Sequence, residues 1–122
     1  MLAHGALLRK NFFSADELAA IARDFRHAGL TDEEVSLMSF AQKVISEPQQ
    51  ISQEDMDDLR RLGLSDEDIL NVVLVCTARS FFSKTLDALA ADPDDAYLEF
   101  EPELLELLTS GRPFPQSMRR QV

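Results

Sequence analysis

Apolar residues recur along this chain at spacings of three and four, with no sustained alternation of the kind a half-buried strand requires. Leu18, Ile21, Ala22 and Phe25 form one stripe, and Leu37, Met38, Ala41, Val44 and Ile45 form a second. Helix-start signals precede the stripes. Ser14 is followed three residues later by Glu17, Thr31 by Glu34, Ser52 by Asp55 and Ser65 by Asp68. Each pair fits a capping box, in which the hydroxyl accepts from one free amide and the carboxylate reaches back to another. Gly29 and Gly63 stand where a helix ends in a left-handed residue, and Pro48 stops the segment before it. These signals predict helices over 15–28, 31–47, 52–62 and 65–91, with a short one near 102–110. The fold class expected is all-α, with 1–122 as a single domain around a helical hairpin.

Two segments depart from the ordinary amphipathic pattern. Between Ile69 and Cys76 only Asn71 is polar, so the helix over 65–91 is expected to be buried on several sides, within the monomer or at a subunit interface. The eight-residue apolar run is too short to cross a bilayer, which needs about 20 residues. At the start of the chain Leu2, Ala3, Ala6 and Leu7 give a hydrophobic side at helical spacing, but nothing caps that helix. It is expected either to lean on another segment or to be part of a longer helix. GLTDEEV at 29–35 and GLSDEDI at 63–69 repeat at an offset matching tetratricopeptide repeats. Two copies without the aromatic signature of that repeat read as a helix stop followed by a helix start.

Charge narrows the function classes. Twelve Lys and Arg face 22 Asp and Glu, a formal net charge of −10, which disfavours nucleic acid and anionic membrane surfaces as partners. The one cysteine rules out an intrachain disulfide and fits a reducing, cytoplasmic setting.

Local chemistry is sparse. His4 falls in the first turn of the opening helix, and His27 in the last turn of its helix, where a cation favours the helix dipole. Two histidines so far apart and one thiol give no transition-metal set, and no metal or cofactor is expected. Cys76 lies in VVLVCTA and is expected to be an inert core thiol with a raised pKa, unless Arg79, three residues on, shares its pocket. Asp92, Asp94 and Glu103 match positions 1, 3 and 12 of a calcium loop, but Ala96 and Tyr97 break it at positions 5 and 6. The seven carboxylates of 92–106 read as a solvated surface.

The order of segments carries more information than any motif. AHGALLRK at 3–10, then LTDEEVSLMSFAQKVISEPQQISQEDMDDLRRLGLSDEDILNVVLV at 30–75, resembles the carboxymuconolactone decarboxylase and alkylhydroperoxidase D-like family, in its peroxidase-related branch. SFFSKTLDALAADPD and LEFEPELLELLTSGRPF continue the likeness, which covers nearly the whole chain. The resemblance implies an all-α alkylhydroperoxidase D-like fold, incomplete at the N-terminus, and homo-oligomers, trimers or hexamers. It also implies reduction of a small-molecule organic peroxide by a Cys-x-x-Cys dithiol. A histidine four residues after the second cysteine relays protons in that family, and the matching residue is His4. Both cysteines would precede Met1, so the 122-residue chain is expected to be inactive by this route. Either Met1 is internal to a longer protein with the pair intact, or the chain is a truncated paralogue that keeps the oligomerising helices. Ala78, Arg79, Ser80 and Ser83 replace aromatic and Asn residues usual in that family, and Cys76 matches none of its catalytic cysteines. The rival reading is a non-catalytic helical oligomerisation or binding module. A lactone decarboxylase is carried by the family name alone.

Overall fold

The computed structural model describes residues 2–109, and every regular element among them is helical. Six α-helices occur there: α1 (Leu2–Asn11), α2 (Ala15–Asp24), α3 (Asp32–Ser46), α4 (Gln53–Arg61), α5 (Asp66–Ala88) and α6 (Pro102–Leu108). Short 3₁₀ turns lie at Phe25–His27, Pro48–Gln50 and Asp95–Glu99. The predicted end of the last helix at 110, and the SGRPF segment, lie outside the described residues.

All four predicted capping boxes form. At α2, the Ser14 hydroxyl accepts from the Glu17 amide at 3.2 Å, and the Ser14 amide donates to Glu17 Oε2 at 2.8 Å. Thr31 and Glu34 repeat this at α3, Ser52 and Asp55 at α4, and Ser65 and Asp68 at α5. Asp is therefore long enough to close the box. Each carboxylate receiving these bonds is held below its usual range; for Glu17 and Glu34 the backbone amide at the cap is the main cause. Gly29 and Gly63 have φ of 76° and 96°, the left-handed conformation that stops a helix. The echo between 29–35 and 63–69 is thus a stop followed by a capped start, both times.

The chain divides into two compact units, one formed by residues 2–29 with 92–109 and the other by Leu30–Ala91. In the first, α2 and α6 pack together with α1 beside them. Leu18, Ala19, Leu104 and Leu108 are buried there, with Leu2, Phe13, Phe100 and Leu107 against them. In the second, α3, α4 and α5 surround Phe40, Val44, Leu59 and Ile69.

Several predicted faces are rotated from those observed. Ala19 is buried on α2, whereas Ala22 is exposed. On α3, Phe40 and Val44 enter the core, and Ile45 stays 45% exposed. Both stripes have helical spacing, but the position of neighbouring helices decides which edge of a stripe is covered. On α1, Ala3 and Leu7 are exposed and Gly5 is the buried residue. A Cβ at Gly5 would lie 2.6 Å from Leu108 Cδ1, so the bare glycine backbone is what lets α6 approach.

The largest departure is α5. Its predicted burial on several sides is not seen within the chain: Ile69 is its one buried residue, with Val72, Val73 and Cys76 half-buried against the same core. Leu70, Leu74, Val75, Phe81, Phe82 and Leu86 on α5, and Leu89 at its C-cap, are 51–74% exposed.

Candidate functional site

Each candidate residue rests on the helix that carries it. α1 holds His4 in its first turn, next to the buried Gly5, with the imidazole side exposed. No hydrogen-bond or ion-pair partner is found for the His4 side chain among the described residues. The last turn of α1 carries Arg9 and Lys10, which suit a helix C-terminus. Arg9 Nη2 also donates to Glu101 Oε1 at 2.9 Å.

Cys76 sits one turn along α5 from Val72 and Val73, half-buried against the second core. Burial pushes its thiol above the ordinary value and no other cause acts on it, so Arg79 does not activate it. A thiol in such a setting is a poor nucleophile near neutral pH.

His27 lies in the 3₁₀ turn after α2, not in the last turn of the helix proper. Its Nδ1 is 2.6 Å from Asp24 Oδ2, and this bond is the main reason the Asp24 carboxyl is held below its usual range. His27 thus has a carboxylate partner at this helix end, which its sequence position did not announce.

The acidic stretch is more occupied than a bare solvated surface. Glu101 pairs with Arg9, and Glu103 with Arg23 of α2. Asp94 accepts from the Ala96 amide at 2.9 Å and caps the 3₁₀ turn. Asp92, Asp94 and Glu103 do not converge as calcium ligands. Among the described residues no three His, Cys, Asp or Glu side chains are grouped to hold a metal ion.

His4 and Cys76 fall in different compact units, and the described residues contain no second thiol. What the structure brings forward instead is α5. Its 23 residues make it long and apolar enough, by length and composition, to cross a membrane, and very little of it is buried. An unbroken apolar run understates this length, because Arg79 and Lys84 interrupt a helix that continues apolar beyond the run. One face of α5 packs on α3 and α4.

Comparison of the chain with protein-family models, with curated proteins and with solved structures finds no match.

Proposed function

We propose that this chain is an alkylhydroperoxidase-like antioxidant protein of the cytoplasm, in which His4 is the proton relay for a dithiol supplied from sequence ahead of Met1. The observation that carries this reading is the state of His4: exposed, early on α1, beside the helix's buried Gly5, and unused in packing. A relay histidine must be free to take a proton from one thiol and return it to a leaving oxygen. In the reaction a thiolate attacks one peroxide oxygen, the O–O bond breaks and an alcohol leaves, giving a sulfenic acid. The second thiol then condenses with it, releasing water and forming a disulfide. Cys76 cannot stand in for the pair, being single, half-buried and raised in pKa. The 122 residues alone are therefore expected to show no thiol-dependent peroxide turnover above background. In protein carrying the dithiol, His4→Ala should lower turnover at least tenfold, while turnover unchanged by that substitution would remove His4 from the mechanism.

A second reading, a non-catalytic helical oligomerisation or binding module, is favoured by the exposed apolar face of α5. Homo-oligomers belong to both readings; the trimers or hexamers that the resemblance implies belong to the peroxidase reading.

A further inference from the structure

The seven large apolar side chains of α5 and its cap are 51–74% exposed, together more apolar surface than the patch of about 300–600 Å² usual on a monomer. Within that face one line of residues follows the alternating three- and four-residue spacing of a helix-pairing seam: Glu67, Leu70, Leu74, Thr77, Phe81 and Lys84. All six are exposed. Leu70 is 55% exposed, Leu74 53% and Phe81 65%. Val75, Phe82 and Leu86 lie to one side of this line.

The line is complementary to itself when reversed. Laid antiparallel on a second copy, Leu70 meets Phe81, Leu74 meets Thr77, and Glu67 meets Lys84, each contact occurring twice about a two-fold axis. Polar chemistry agrees with this register. Thr77 Oγ1 donates within its own helix, at 2.9 Å to the Val73 carbonyl and 3.1 Å to that of Leu74, so burial of this hydroxyl would leave no orphan donor. Neither Glu67 nor Lys84 has a side-chain partner among the described residues. A parallel pairing would set Glu67 against Glu67 and Lys84 against Lys84. Elsewhere the surface of a chain with net charge −10 repels its own kind, which confines contact to this face, uncharged between Leu70 and Ala78.

From this we infer that α5 is a self-recognition helix, joining two copies of the chain antiparallel through Leu70, Leu74 and Phe81 with Glu67–Lys84 pairs at the ends. The inference deepens the reading of α5 as an interaction surface and is independent of the peroxidase reading.

The test is light-scattering mass and sedimentation of the full 122-residue chain at about 10–100 μM, a range that populates a dimer of micromolar Kd. The wild type should run near 27 kDa, twice the 13.7 kDa chain. Leu74→Glu with Phe81→Glu, at exposed positions that leave the cores untouched, should give a monomer of unchanged helicity. Lys84→Glu should weaken the dimer about tenfold by setting like charges together at both ends, and adding Glu67→Lys should restore it. A trimer has no two-fold and would overturn the pairing, as would a dimer that Leu74→Glu dissolves but the charge exchange does not restore. In that last case α5 would remain an interaction surface. A monomer at every concentration would overturn self-recognition and leave the binding-module reading standing, whereas a chain recovered with phosphatidylcholine vesicles would overturn both.

Discussion

Lys43 in the last turn of α3 and Asp55 in the first turn of α4 form a two-pronged ion pair, Nζ donating at 2.9 and 2.7 Å to the two carboxylate oxygens. The same carboxylate accepts from the amide and hydroxyl of Ser52, closing the α4 capping box. One side chain thus starts a helix and ties it to the one before.

The Lys43 ammonium first, and the Ser52 amide second, lower the Asp55 carboxyl to about 2 from an ordinary value near 3.8. A depressed carboxylate stabilises the fold above its unfolded value and loses that contribution as pH falls through the folded one. Part of the thermal stability should therefore disappear between about pH 4 and pH 2. Asp55→Asn should melt about 5 °C lower at pH 7 and show a shallower loss across that window, the remainder coming from the other lowered carboxylates. Melting curves of the two proteins at stepped pH check this.

Gly5 gives a steric prediction. Leu108 Cδ1 and Cδ2 occupy the space its side chain would take, at 2.6 and 3.1 Å from the Cβ position. Leu108 is 6% exposed and has little room to turn. Gly5→Leu should destabilise by about 2–3 kcal/mol, despite the better helix propensity of leucine. Gly5→Ala should be milder, and Leu108→Ala should recover part of the Gly5→Leu loss. Urea unfolding of the three variants measures it.

Cys76 should behave as a sluggish thiol. With burial raising its pKa, modification by a disulfide reagent at pH 8 should run several-fold slower than for a free cysteine peptide. The rate should keep rising with pH beyond the ordinary thiol midpoint. Arg79→Ala should leave the rate unchanged, since Arg79 plays no part in the shift.

Helix starts and stops were legible in the sequence because they are local. Ser14 with Glu17, and Gly63 with Ser65, each act within a few residues, so their spacing specifies the geometry. Buried faces were less legible. Ala19 and Ala22 are equivalent in propensity and periodicity, and packing against α6 alone selects Ala19. The Lys43–Asp55 and Arg9–Glu101 pairs are made by residues 12 and 92 apart, with no local signal to announce them. On α5 the apolar run was plain to read, but the sequence could not tell burial inside the chain from a face left open. The structure leaves that face open. His4 could be located on a helix from spacing, yet its role rests on the groups it would serve, which no spacing within the 122 residues supplies.

The most direct measurement is the intact mass and N-terminal sequence of the protein from its natural source, together with thiol-dependent hydroperoxide turnover. A relay role for His4 predicts a mass well above 13.7 kDa, a Cys-x-x-Cys just ahead of Met1, and turnover that reduced dithiol sustains. A mass of 13.7 kDa beginning at Met1, with no turnover, would contradict it and leave α5 as the functional surface.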